Sequence, residues 1–138
     1  MVINICLAAD KFYLPHLTTT IKSIVENNKN SYLKIYIINK NIDNKSFKGI
    51  KESILHNRKV EIIDCKFESS FLNDFPLPHH FTVETYYRLF INKFLENKKI
   101  IYLDSDLIVL GSLEELWNTK LRGFCIGAVS DSESVRYE

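Results

Sequence analysis

Apolar and polar positions follow two rhythms along this chain, one of strands and one of helices. Val2 to Ala8 is a short apolar run that stops at Ala9-Asp10, the pattern of a central strand. From Leu14 to Asn28 the apolar residues recur at Leu14, Leu17, Ile21, Ile24 and Val25. That is helical spacing, and Pro15 falls in the first turn, where its missing N–H is harmless. Leu33 to Ile38 is β-branched and aromatic, a second strand. Residues 43–57 carry Phe47, Ile50, Ile54 and Leu55 on one helical face, with Asp43 as N-cap. Val60 to Ile63 is a third strand. Residues 65–82 have no period and hold Phe75-Pro76-Leu77-Pro78, which reads as a loop. Thr82 to Leu95 returns to a helical pattern, and Lys99 to Leu103 is a fourth strand. Beyond it, Leu107 to Leu110 reads as a short strand. Ser112 opens a helical turn with Glu115 as its capping-box partner, and Phe124 to Val129 reads as a last strand. The order β-α-β-α-β-loop-α-β predicts an α/β fold, a mostly parallel sheet with helices on its faces. No repeat or linker divides residues 1–138, so one domain is expected.

Composition narrows the function little. Hydrophobic residues make up 46% of the 138 and charged residues 25%, an ordinary globular mix. A formal net charge of +1 and scattered Lys and Arg argue against a nucleic-acid partner. Cys6, Cys65 and Cys125 lie far apart in an odd count without C-x-x-C spacing. Reduced thiols in a cytoplasmic protein are expected, not a disulfide framework or a zinc site. The N-terminal run is too short for a membrane span and lacks a basic leader.

Chemistry concentrates in one stretch, IIYLDSDLIVLGSLEELW, residues 100–117. Asp104 and Asp106 interrupt its apolar run, and unpaired carboxylates in such surroundings are costly. Alternation points both to one side. If the strand ends near Leu103, both leave the core at its carboxyl end, where open α/β sheets bind ligands. The first strand also ends on a carboxylate, Asp10; if the two strands are neighbours, the three border one cleft. Two converging carboxylates without an evident cationic partner suit a hard divalent cation, Mg²⁺ or Mn²⁺, completed by substrate phosphates. The plain alternative is that both are solvated turn residues. With four glycines in the chain there is no phosphate-cradling glycine loop.

Taken whole, that stretch resembles the metal-binding segment of the family 8 glycosyltransferases, retaining enzymes of the GT-A fold. They include bacterial lipopolysaccharide galactosyl- and glucosyltransferases and glycogenin. Three further stretches match in family order: ICLAADKFYLPHLTTTIKSIVENN, TYYRLFI at residues 85–91, and FCIGAVSD. The resemblance implies a Rossmann-like nucleotide-binding fold. It implies a metal-dependent transfer of galactose or glucose, with retention, from a UDP-sugar to a cell-surface glycan acceptor such as lipopolysaccharide, at the cytoplasmic face of the membrane. It implies that Asp104 and Asp106 bind Mn²⁺ (or Mg²⁺), with Asp104 also reaching the donor ribose beside the Ser105 backbone. Ala8 and Asp10 would contact the uracil and ribose, Tyr13 would stack on the uracil, and Arg88 would act on the donor as the catalytic cation.

Each of these residues has a plainer reading. Tyr13 could pack the helix start, and Arg88 could pair with Glu84 at i−4. Tyr86 and Tyr87 read as packing residues, Trp117 as part of a satellite cluster behind the aspartates, and His16, His79 and His80 as surface. Phe12 stands where family members commonly carry a polar residue, often Asn, which weakens the case for strict uridine selectivity. The resemblance spans the N-terminal half of a family catalytic domain. The family's Asn-Ala-Gly and His-Gly-x-x-Lys-Pro-Trp segments, the second with a third metal ligand, would follow Glu138. The chain is accordingly expected to be the nucleotide-binding part of such an enzyme, with weak or no turnover alone and an exposed apolar edge prone to self-association. Two other readings stay open: a non-catalytic nucleotide-binding module, and a phosphatase of the haloacid dehalogenase type. The latter shares only Asp-Ser-Asp, followed here by Leu-Ile and not Gly-Thr.

Overall fold

The computed structural model describes residues 1–54, 59–68, 70–76, 82–96 and 98–129. Four strands form one parallel sheet: β1 (Val2–Ala8), β2 (Tyr32–Asn39), β3 (Val60–Lys66) and β4 (Ile101–Tyr102), in the spatial order β3-β2-β1-β4. β1 is therefore central, with Ile5 opposite Ile35 on one side and Ile101 on the other. Because β1 and β2 are largely buried on both faces, they read as nearly continuous apolar runs, interrupted at Asn4 and Lys34.

Alternation sorts the side chains into two cores. Ile3, Ile5, Leu7, Leu33, Ile35, Ile37, Ile62 and Ile101 face two helices, α1 (Leu14–Asn27) and α2 (Asn44–Ser53). These supply Leu17, Ile21, Ile24 and Val25, and Phe47 and Ile50. Asp43 caps α2 as expected, its side chain accepting from the Ser46 N–H at 2.7 Å, which holds its carboxyl below the ordinary range. The expected helical residue Leu55 lies outside the described residues.

Cys6, Tyr36, Ile38 and Cys65 face the other way, against Phe67, Leu72, Tyr87 and Leu95. A 3-10 helix, Val83–Lys93, covers this face where an amphipathic helix was expected. A 3-10 helix stacks residues three apart. Tyr87, Phe90 and Lys93 all meet the Phe67 ring, at 5.1, 5.0 and 5.1 Å. Tyr86 packs edge-on against Phe75 and donates its hydroxyl to the Pro76 C=O, so both tyrosines are packing residues as expected. The loop before this helix contains a shorter 3-10 turn, Ser70–Asp74. His79 and His80 lie outside the described residues.

Four expectations fail beyond β4. Leu107–Leu110 is not a strand, because its backbone turns away from the sheet and bonds to side chains of α1. Phe124–Val129 is not a strand either: no strand pairs with it among the described residues, and Phe124, Ile126 and Val129 are 75%, 81% and 89% exposed. The last helix, α3 (Glu114–Asn118), starts one residue later than expected. Leu113 is its N-cap, Ser112 Oγ accepts from the Glu114 N–H, and the acidic residue tied down is Glu114, which accepts from Ser31 Oγ at 2.5 Å. Trp117 also differs: it packs partly buried on the main core under the Lys99 ammonium, not in a satellite cluster.

The three cysteines are free; Cys6 and Cys65 are buried in the sheet and Cys125 is exposed. Burial pushes the Cys6 thiol up to about 12 and the Cys65 thiol up to about 11, from an ordinary 9.0. Above that pH the unfolded thiols lose protons while the folded ones keep theirs. Stability is thus unaffected by these groups below pH 9.0. It then falls as pH climbs toward the folded values, by about 1.4 kcal/mol per pH unit per thiol at its steepest. Urea midpoints measured from pH 8 to 11 are expected to drop, and Cys6→Ala to flatten the slope; a level profile contradicts this account.

Candidate active site

The chain runs outward from β1 through β2 to β3, then returns to place β4 on the other side of β1. The strand order reverses between β1 and β4, and the crevice at the carboxyl ends of those two strands is where such sheets take ligands. Both chain segments leaving it carry carboxylates.

After β1 the chain turns through Asp10, whose Oδ1 accepts from the Phe12 N–H at 2.8 Å and the Tyr13 N–H at 2.9 Å. That Asx turn leads directly into α1, with Tyr13 as its N-cap. Tyr13 is 42% exposed, its ring lies 4.9 Å from the His16 ring, and its hydroxyl donates a long 3.5 Å contact to Asp106 Oδ2. Phe12 beside it is 76% exposed.

After β4 the Leu103 N–H still donates to the Cys6 C=O, and then the chain leaves the sheet. Asp104 and Asp106 are exposed, and Ser105 between them is buried. Ser105 Oγ donates to the Ala8 C=O at 2.6 Å, binding the aspartate turn to the end of β1. The Ser105 C=O accepts from the hydroxyl of Thr20, which is wholly buried on α1.

Arg88 approaches from the opposite face. The 3-10 winding that turns Tyr87 inward leaves Arg88 outward, its Nε–H donated to the Thr85 C=O at 3.0 Å and its guanidinium 5.0 Å over the Tyr102 ring. One guanidinium nitrogen donates to Asp104 Oδ1 at 3.1 Å. Arg88 therefore pairs with Asp104 and not, among the described residues, with Glu84, and the aspartate pair does have a cationic partner that sequence spacing did not reveal. Burial pushes the Tyr102 phenol up to about 12, so the platform under Arg88 is neutral.

The residues expected at the donor, Ala8, Asp10, Tyr13, Arg88, Asp104, Ser105 and Asp106, are brought together around these strand ends. Arg88 touches Asp104, Ser105 touches Ala8, and Asp106 touches Tyr13, which rests on the Asp10 turn. Sequence reasoning missed Thr20, Ser23 and Asn27, which hold the aspartate turn from α1, and Tyr102, which seats Arg88. The first three did leave a signal: hydroxyl and amide side chains at helical spacing, beside an apolar stripe.

The donor set is oxygen: Asp104 and Asp106 are both exposed, two positions apart on the turn that leaves β4. No group of three or more His, Cys, Asp or Glu gathers there among the described residues. Two carboxylates with further positions left to phosphate or water fit Mg²⁺ or Mn²⁺ better than zinc. No helix among the described residues is long and apolar enough to cross a membrane.

Comparison with known proteins places this architecture. An active-site mutant of LgtC superposes with a TM-score of 0.73 at 24% identity, covering 87% of this chain and 43% of that one, which shows that the fold is that of GT-A enzymes. GlyE of Streptococcus pneumoniae TIGR4 superposes at 0.68 with 32% identity, over 87% of this chain and 27% of GlyE. Among curated sequences, the glycosyltransferase GlyF of Streptococcus pneumoniae is 35% identical over 133 residues, which is 93% of this chain and 31% of GlyF. GlyD of the same organism is 38% identical over 135 residues, 97% of this chain and 16% of GlyD. The chain thus spans less than a third of these curated relatives. The sequence pattern of glycosyl transferase family 8 matches residues 4–138, and the chain belongs to that family of glycosyltransferases.

Proposed function

We propose that this chain forms the donor site of a hexosyltransferase that takes galactose or glucose from a UDP-sugar, with retention, for a glycan acceptor such as a cell-surface lipopolysaccharide. The observation that carries this reading is the meeting of Asp10 and Tyr13 after β1 with Asp104 and Asp106 after β4, at the point where strand order reverses.

The residues divide the work by their chemistry. Tyr13 offers an exposed aromatic face to the uracil while its hydroxyl stays wet. Asp10 spends Oδ1 on the turn and leaves Oδ2 for a ribose hydroxyl. Asp104 and Asp106 would hold Mn²⁺ or Mg²⁺, which supplies positive charge for the departing diphosphate. Arg88 is held by the Thr85 C=O and the Tyr102 ring, so its guanidinium is a fixed fork that can pass from Asp104 to a diphosphate oxygen. The LgtC structure with donor and acceptor sugar analogues supports a glycosyl-transfer role for a site on this fold.

Titration calorimetry of UDP into the purified chain, with and without Mn²⁺, tests the reading. Binding is expected only with Mn²⁺ and is expected to weaken by at least about tenfold in Asp106→Asn, since even partners one shell further out are worth ~10–100-fold. Binding that ignores both the cation and the substitution rejects the assignment of the aspartates.

A further inference from the structure

The aspartate turn has an unusual support. Past Leu103 the chain leaves the sheet, and α1 and its C-cap supply side chains that pair with several of its backbone groups. Thr20 Oγ1 reaches the Ser105 C=O at 2.9 Å and the Leu107 C=O at 2.8 Å. Ser23 Oγ accepts from the Val109 N–H at 2.9 Å, and Asn27 Nδ2 donates to the Val109 C=O at 2.9 Å. Asn28 Oδ1 accepts from the Leu113 N–H at 2.7 Å. These positions ascend α1 as the partner residues ascend from 105 to 113, so the segment runs along the helix in the same direction.

We infer that Thr20 is the positioning residue of the donor site, fixing the Asp104–Asp106 turn from behind. Its single hydroxyl proton is shared between the two carbonyls that flank Asp106. It is wholly buried, so no water can take its place without opening the packing. Ser105 is gripped from two sides, by Ala8 through Oγ and by Thr20 through its C=O. With the middle residue pinned inward, the aspartates on either side point outward on a backbone that cannot rotate freely. Two carboxylates that must converge on one cation need that restraint, because a hard octahedral ion tolerates little misplacement. Ser23 donates its own hydroxyl to the Thr20 C=O at 2.8 Å, tying the second support to the first.

The inference rests on the donor-site reading for what the turn is positioned to do, and the test separates the two. Thr20→Val keeps volume and β-branching and deletes the hydroxyl; Thr20→Ser keeps the hydroxyl. Amide hydrogen exchange at residues 105–109 is expected to quicken on the order of tenfold or more in Thr20→Val, the factor an unmade buried hydrogen bond is worth. The amides of Ile35 and Ile37 should keep their rates, and Thr20→Ser should exchange like the parent. Mn²⁺ uptake, read by water-proton relaxation, is expected to weaken about tenfold in Thr20→Val and to be rescued in Thr20→Ser.

Exchange that rises equally throughout the sheet, or does not change in the turn, overturns the inference. So does local loosening with Mn²⁺ uptake intact, which would make Thr20 a packing residue only. If the parent chain takes up no Mn²⁺, the donor-site reading fails by itself, and the exchange result alone decides whether Thr20 fixes the turn. Should Thr20→Val not fold, Ser23→Ala provides the same measurement at Val109, with the same outcomes counting for and against.

Discussion

Ile5→Ala is expected to remove ~2–5 kcal/mol of stability, the range for deleting a branched side chain from a core that cannot collapse. Ile5 is wholly buried in the central strand and is flanked by Ile35 and Ile101 on its two sides. Backbone bonds to both neighbours hold the strands at fixed spacing, so the space left by the side chain stays open. A domain of this kind has only ~5–15 kcal/mol to lose. The substitution thus brings the chain near its unfolding threshold, whereas Ile126→Ala, at an 81% exposed position, should alter stability by less than about 0.5 kcal/mol. Urea unfolding followed by circular dichroism measures both. A loss below about 1 kcal/mol at Ile5 would contradict its place at the centre of the packing.

Asn39→Leu is expected to cost ~2–4 kcal/mol, through hydrogen bonds and not volume. Asn39 is wholly buried at the end of β2 and uses its whole amide. Nδ2 donates to the Ile37 C=O at 3.1 Å and to Asp64 Oδ1 at 2.8 Å. Oδ1 accepts from the Ile42 N–H at 3.1 Å and from Lys66 Nζ at 2.8 Å. Leucine fills the space but strands a buried N–H and removes one support from the Lys66–Asp64 pair. Asn39→Asp offers a sharper control. It keeps the acceptor and loses the donor, setting a carboxylate against Asp64 where the amide stood. One of the two carboxyls then holds its proton above its unfolded value, so this variant should regain stability as pH falls into the carboxylate range. Destabilisation of Asn39→Asp that is indifferent to pH would mean that the Asp64 contact matters little.

Most of the sheet was legible because its signals are local. β1 and β2 are mostly apolar, β3 has an apolar Ile62-Ile63 centre, and α1 and α2 show their buried faces at helical spacing with Pro15 and Asp43 at the starts. The proximity of Asp10, Tyr13, Asp104 and Asp106 was legible because their segments follow directly on β1 and β4. What failed was non-local. Leu107–Leu110 has the composition of a strand, but a strand also needs a neighbouring backbone, and here Ser23 and Asn27 take its place. Phe124–Val129 has apolar side chains that the described residues do not cover. The Arg88–Asp104 pair joins residues whose proximity depends on β4 lying beside β1 and on the 3-10 winding that turns Arg88 outward. Neither the pair nor the Thr20 contact can be read from spacing alone, because each crosses the fold.

The place of β4 beside β1 also sets an order of assembly. β1, β2 and β3 follow one another along the chain, while Ile101 and Tyr102 must return to Ile5 and Cys6 from far downstream. Closing so long a loop carries an entropy cost that rises with its length, and such pairings form late. During synthesis at ~5–20 residues per second, the first three strands emerge seconds ahead of the fourth. Through that interval one side of the central strand has no neighbour, and the Asp10 turn stands in place before the aspartates it faces. The newborn chain is therefore most open to stray strand pairing along β1, and the Asp10 turn meets the aspartates only when β4 docks.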